Sequence, residues 1–119
     1  MATKETIKKY YDGLEQKSGW QSAISDEIIF NGGGQTSKGK TAYIDATNRF
    51  LHVVKTSRIH ELIIEGNKAC VLVDYSLLSP KGNTANCLVV EILTVEDDKI
   101  ISSSIFFDTA AFRGFMAQG

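Results

Sequence analysis

The sequence predicts an α+β domain in which helices come first and an antiparallel sheet follows. Two segments before residue 55 carry apolar residues at helical spacing, and consecutive β-rich segments then occupy the chain to residue 107. Short polar connectors join these segments, as they do in hairpins and not in helical crossovers. With 119 residues, 43% of them hydrophobic, the chain can bury one core and not two. We therefore expect a single domain over residues 1–119.

Each predicted helix shows a stripe of apolar residues along one face. The first stripe follows the spacing i, i+3, i+4 and i+7 at Ile7, Tyr10, Tyr11 and Leu14. The second begins after Lys40, at Tyr43, Ala46, Thr47, Phe50 and Val54. Between the helices, the Ile-Ile-Phe run in residues 27–31 predicts a first strand.

Four further strands are predicted after the second helix, over residues 56–65, 68–78, 86–95 and 99–107. Because their connectors are short, we expect an antiparallel meander. Strand 86–95 is largely apolar on both faces, since Leu88, Val90 and Ile92 alternate with a second set that is apolar except for one glutamate. That second set is Cys87, Val89, Glu91 and Leu93.

An antiparallel strand with one face in water would not be apolar on both sides. We infer that one face covers the helices and that the other packs on a second copy of the protein, as a twofold homodimer. The alternative is that the C-terminal residues Phe112, Phe115 and Met116 fold back over this second face.

Charge and hydropathy exclude several classes of partner. Thirteen basic and 14 acidic residues give a net charge of −1, which is typical of neither a nucleic-acid binder nor an acidic tail. No apolar run approaches the roughly 18 residues of a membrane span, so we expect no membrane partner. Residues 1–11 lack the apolar segment of a secretory signal, and we expect a cytoplasmic protein.

Cysteine and histidine are too few for a disulfide framework or a zinc site. The chain has two of each, and the expected hairpin register places Cys87 opposite Ser76 and Cys70 opposite Leu93. We therefore expect no disulfide and no metal site.

Residues 34–41, GQTSKGKT, fit the phosphate-loop pattern G-x-x-x-x-G-K-[ST] between a predicted strand and a predicted helix. Such loops wrap phosphates with backbone N–H groups at a helix N-terminus, in a parallel sheet. The strands that follow here are joined by four to six residues, too few for a parallel crossover. Nucleotide binding is therefore kept only as an alternative to a glycine-rich loop that starts a helix.

The order of elements resembles the nuclear transport factor 2-like superfamily, in particular its SnoaL-like and ketosteroid-isomerase-like branch. Residues 7–14, the helix entry at Gly39, residues 63–69 and residues 105–108 carry this resemblance. It implies a cone, in which a strongly curved antiparallel sheet wraps around the N-terminal helices and opens into an apolar pocket. It also implies a small apolar organic ligand and dimerisation through the outer face of the sheet.

The resemblance implies cofactor-free acid–base chemistry of the isomerase, cyclase or dehydratase type. Asp108 stands where SnoaL-like polyketide cyclases carry an acidic residue after the last strand. Tyr10 and Glu91 match the oxyanion-hole tyrosine and acid of ketosteroid isomerases, whereas Gly32, beside Asn31, stands in place of their base. The missing base favours a second interpretation, a non-catalytic ligand-binding or dimerisation module.

Four candidate catalytic residues follow, and each has a structural alternative. Asp108 could instead cap a helix that starts at Thr109, and Glu91 could pair with a lysine or arginine. Tyr10 could be core packing, and His60, in an alternating strand, could face water instead of the pocket. The residues expected to line the pocket are Trp20, Asn31, Phe50 and Phe107. Trp20 could equally pack against the first helix.

Overall fold

The computed structural model describes residues 2–32 and 34–118 and confirms the α+β prediction. Its α-helices are α1 (Ala2–Gln16), α2 (Lys40–Leu51) and α3 (Thr109–Ala117). A short 3₁₀ helix, Trp20–Ala23, follows α1. The strands are β1 (Ile24–Gly32), β2 (Gln35–Lys38), β3 (Val54–Glu65), β4 (Lys68–Leu78), β5 (Thr84–Glu96) and β6 (Lys99–Phe106).

The six strands form one sheet in the order β2-β1-β6-β5-β4-β3. Strands β3 to β6 are the predicted antiparallel meander, but β1 joins it by pairing in parallel with β6. The predicted register was wrong by one residue, because Cys87 lies opposite Tyr75 and Cys70 opposite Ile92. Both cysteines are free, as predicted.

Irregular pairing bends the sheet. The register shifts between Ile59 and Glu61 in β3 and between Thr94 and Val95 in β5. Such bulges insert an extra residue into one strand and increase its bend and twist. The result is a curved sheet that remains open, with β2 and β3 at its two edges.

The helices α1 and α2 pack on the inner face of this curved sheet. On α1 the predicted stripe is buried, and Ile7 has no exposed surface at all. Alternate residues of the central strands, such as Val71, Val73 and Leu93, meet the helices and are equally buried. The one-sided hydrophobicity of both elements therefore explains why they pack against each other.

The opposite, outer face of the sheet remains apolar and exposed. Leu88 is 56% exposed and Phe106 59% exposed, and Val90 lies between Leu72 and Phe106 in the strand register. The alternative that the C-terminal residues cover this face was wrong. Helix α3 lies on the inner side, where Phe112 packs edge-on against Phe107 with ring centres 5.7 Å apart.

The segment that matches the phosphate-loop pattern is not a phosphate loop. Gln35–Lys38 forms the edge strand β2, antiparallel to β1, and α2 starts only at Lys40. The intervening Gly39 has φ 99°, and its N–H donates to the carbonyl of Ile28 at 2.8 Å. An extended edge strand does not wrap its N–H groups around a phosphate, so this segment lacks the backbone geometry that the nucleotide-binding alternative requires.

Two kinds of feature are missing from the described part of the chain. No helix within residues 2–32 and 34–118 is long and apolar enough to span a lipid bilayer. The same residues contain no group of three or more His, Cys, Asp or Glu side chains placed to hold a metal ion.

A close backbone contact fixes the turn after α1. A Cβ atom added to Gly13 would lie 2.6 Å from the backbone nitrogen of Trp20, so only glycine fits there. Trp20 has no exposed surface, and this contact lets its indole enter the core beside α1.

We expect Gly13→Ala to lower the free energy of unfolding by about 2 kcal/mol, because the added methyl group meets backbone that cannot move freely. Gly114→Ala in α3 is the matched control, since a Cβ there meets nothing within 4 Å. It should be neutral or add about 0.5–1 kcal/mol. Urea unfolding of both variants tests this, and equal stabilities would contradict the assigned contact.

Candidate functional site

A cavity of about 420 Å³ lies between the inner face of the sheet, α2 and α3. This volume falls within the range of about 300–1,000 Å³ that is typical of small-molecule sites. Its walls are mostly apolar and rich in aromatic rings, among them Phe30, Phe50, Phe107 and Phe112. The polar groups that reach it are few, so their positions determine what it can do.

Glu91 is the carboxyl group of this cavity and is only 6% exposed. The alternation of β5 places it on the inner face, between Val89 and Leu93. The hydroxyl of Tyr11, from α1, donates to its Oε1, and the hydroxyl of Tyr75, from β4, donates to its Oε2 at 3.2 Å. One helix, α1, and two strands, β4 and β5, therefore meet at one carboxyl group.

Opposing effects act on the pKa of the Glu91 carboxyl. Burial raises the pKa of the Glu91 carboxyl, and the hydrogen bonds from Tyr11 and Tyr75 oppose this shift without cancelling it. No lysine or arginine in the described residues forms an ion pair with Glu91, so the predicted alternative of a salt bridge was wrong. A buried carboxyl with a raised pKa is suited to giving or taking a proton near neutral pH.

A second polar pair stands beside this carboxyl. The hydroxyls of Tyr10, on α1, and Tyr43, on α2, hydrogen-bond to each other, and both residues line the cavity. Burial raises the pKa of both hydroxyls, so both remain protonated at neutral pH. One of the two protons holds the pair together, and the other can be donated to an oxygen atom in the cavity.

The structure brings together only two of the four predicted catalytic residues, Tyr10 and Glu91. Asp108 is exposed, and its Oδ1 accepts the N–H of Ala111 at 2.9 Å. It therefore caps α3, which is the alternative weighed for it. His60 lies on the outer face of β3, with Nε2 3.5 Å from Oδ2 of Asp74, and does not reach the cavity.

The expected lining residues also divide into two groups. Phe50 and Phe107 line the cavity. Trp20 instead lies in the core against α1, with its ring centre 6.3 Å from that of Tyr10. Asn31 is exposed, and its Oδ1 accepts from the Thr36 hydroxyl at 2.6 Å, because alternation along β1 turns it to the outer side.

Sequence analysis missed Tyr11, Tyr43 and Tyr75 as site residues. All four tyrosines of the chain gather around Glu91 or beside it. The available signal was Glu91 itself, since a carboxyl group in an apolar strand needs buried hydrogen-bond donors. Tyrosines on the inward-facing sides of the helices and strands could supply these donors.

We expect the stability of the Glu91→Gln variant relative to the natural protein to rise with pH above about 4.5. A carboxyl with a raised folded pKa binds more protons when folded, so the natural protein loses stability as the pH rises from the unfolded pKa through the folded one. Glutamine does not titrate and escapes this loss. Urea unfolding between pH 4 and 8 measures the difference.

Glu96→Gln is the matched control, because Glu96 lies on the same strand and is exposed. This variant removes a carboxyl that is exposed to water, so it shows the effect of losing a glutamate that is not buried. A Glu91→Gln profile parallel to that of the control would contradict a raised pKa at Glu91.

Comparison with known proteins agrees with this geometry. A family model described as a SnoaL-like domain matches residues 7–103. Curated protein sequences give no match. Among solved structures, the chain is similar to TerC co-crystallised with polyporic acid, with 22% identity, a TM-score of 0.84, and coverage of 98% of this chain and 99% of that one.

Two further structures show the same fold at lower identity. A putative SnoaL-like polyketide cyclase from Jannaschia sp. CCS1 is 15% identical, with a TM-score of 0.83 over 99% of this chain and 93% of that one. A putative isomerase from Rhodopseudomonas palustris is 11% identical, with a TM-score of 0.80 over 100% and 98%. The predicted resemblance to nuclear transport factor 2-like folds is thus confirmed, and the chain belongs to the SnoaL-like domain family.

Proposed function

We propose that this protein binds a small, largely apolar organic molecule in the cavity and transfers a proton on it through Glu91. The observation that carries the proposal is a single buried carboxyl in a mostly apolar cavity. Related folds described as a polyketide cyclase and as an isomerase, both putative, support a ligand that carries a carbonyl group.

In this proposal Glu91 and the Tyr10–Tyr43 pair have different roles. Ionised Glu91 takes a proton from the carbon next to a ligand carbonyl, and the electron pair moves onto the carbonyl oxygen as an enolate. The spare proton of the Tyr10–Tyr43 pair hydrogen-bonds to that oxygen as its charge develops. Glu91 then returns the proton to carbon, which completes an isomerisation or exchange without any cofactor.

A specific observation favours a second candidate, binding without catalysis. Gly32 lines the cavity at the position where ketosteroid isomerases carry their base, and Glu91 is the only carboxylate among the described residues that line it. Under this alternative, Glu91 and the tyrosines orient a ligand oxygen and no proton is transferred to carbon. The two functions differ in whether a bound ketone exchanges its acidic hydrogens.

We expect the protein to accelerate hydrogen–deuterium exchange at the α-carbon of 2-tetralone, an apolar bicyclic ketone, in D₂O. Glu91→Gln should lower the catalysed rate by about 100-fold or more, because glutamine cannot accept the proton. Proton NMR follows the exchange, and saturation-transfer NMR follows binding in the same samples.

Glu96→Gln is again the control and should exchange like the natural protein, since Glu96 is exposed on β5. If the natural protein binds 2-tetralone but exchanges it no faster than buffer, the binding-module alternative replaces catalysis. Absence of binding to this ketone and to other apolar ketones of similar size would count against both.

We also propose a homodimer through the outer face of the sheet. Val90 lies two residues after Leu88 on β5 and opposite Phe106 on β6, so these side chains form one continuous apolar surface. A surface of this kind is typical of an interface between subunits. A twofold axis through it would let the same residues of both copies meet.

We expect light scattering to give about twice the chain mass of 13.1 kDa. Leu88→Glu should shift the protein to monomer, because it places like charges in the interface of both copies. Thr41→Glu, an exposed position on α2, adds the same charge elsewhere and should stay dimeric. A natural protein that elutes only at the mass of a single chain would refute the dimer.

A further inference from the structure

The polar groups of the cavity lie at its two ends. Glu91, Tyr10 and Tyr75 are each less than 7% exposed, so they mark the closed end. Arg49 and Met116 also line the cavity but are exposed, so they mark its opening. Between the two ends the wall is made mostly of aromatic and aliphatic side chains.

Arg49 is the one basic residue that lines the cavity within the described part of the chain. It is in the last turn of α2, three residues after Ala46, and positions three apart share a helix face. Ala46 lines the cavity too, so the helix geometry directs Arg49 toward the opening and not away from it.

The charge of Arg49 is not used inside the protein. Asp45 lies one helical turn earlier, at a spacing that often gives an ion pair. Nevertheless, Arg49 makes no ion pair with Asp45 or with any other carboxylate in residues 2–32 and 34–118. A cation at the mouth of an apolar cavity, without a partner, is available to an anionic group of a ligand.

The closed end of the cavity favours an uncharged group of the ligand, in contrast to the opening. An anionic group placed there would lie beside the carboxyl of Glu91 in a poorly solvated environment, where like charges repel strongly. A neutral oxygen, by contrast, can accept a hydrogen bond from the Tyr10–Tyr43 pair. The two ends therefore fix both the chemistry and the orientation of the occupant.

We propose that the ligands of this cavity are ring-containing organic acids, bound with their anionic group on Arg49 and their apolar rings inside. This inference rests on the proposed function, because it assigns the substrate class of the same cavity. A neutral oxygen at the far end of such a molecule reaches Glu91 and the tyrosine pair. Arg49 is thus a specificity-determining residue that the proton transfer itself does not require.

Two fluorescent probes differ only in the group that Arg49 would recognise. 8-Anilinonaphthalene-1-sulfonate carries a sulfonate, and N-phenyl-1-naphthylamine is the same ring system without it. Arg49→Gln should weaken binding of the sulfonate about fivefold, the range of a partly solvated ion pair, and should change binding of the neutral amine less than about twofold. Added salt should reduce the difference for the sulfonate.

Arg58→Gln is the matched control, since Arg58 is exposed on β3 and does not line the cavity. It should leave the affinity for both probes unchanged. The site of binding is read from Cys87, which lines the cavity, because a bound probe should slow its modification by N-ethylmaleimide.

The outcomes separate the inference from the proposed function. Suppose that both probes protect Cys87. If Arg49→Gln then leaves the affinity for the sulfonate unchanged, or weakens binding of both probes equally, the role of Arg49 is refuted, whereas the assignment of the cavity as a ligand site is retained. If neither probe protects Cys87, both the cavity function and the acid preference are refuted. A selective loss of the sulfonate with Arg49→Gln alone supports the inference.

Discussion

The burial of Glu91 is the constraint on which the rest of this structure depends. A carboxyl group removed from water without hydrogen-bond donors costs several kcal/mol, so the fold must bring donors to it. Tyr11 from α1 and Tyr75 from β4 supply them. Tyr10 is the next residue along α1, and its hydroxyl hydrogen-bonds to Tyr43 of α2, so adjacent residues of α1 contact the sheet and the second helix.

Local patterns predicted most of the fold because most elements bury one face only. The stripe of α1 and the alternation of β5 are visible in the sequence for that reason. Strand β2 was missed because Gln35–Lys38 contains no apolar residue and is paired along one side only. The parallel pairing of β1 with β6 joins segments about 70 residues apart, and no local pattern encodes such a contact.

The candidate site was harder to predict than the fold because its parts come from four elements. Glu91 and Tyr10 were found through family resemblance, but Tyr43 and Tyr75 required knowledge of how α2 faces α1 and how β4 lies beside β5. Asp108 satisfied the same family pattern and proved to be an exposed helix cap. The phosphate-loop pattern was kept only as an alternative for a similar reason, because a short motif carries no information about the sheet in which it lies.

The C-terminal helix has a further consequence. The SnoaL-like match ends at residue 103, whereas Phe107, Phe112 and Met116 complete the cavity wall beyond it. Glu91 and its tyrosine partners all lie within the matched segment. The hydrogen-bonded polar groups of the cavity and the part of its wall formed by Phe107, Phe112 and Met116 therefore belong to separate stretches of chain. An engineer could graft a different C-terminal helix onto this sheet to reshape the space above the carboxyl group, while the hydrogen-bonded centre remained intact.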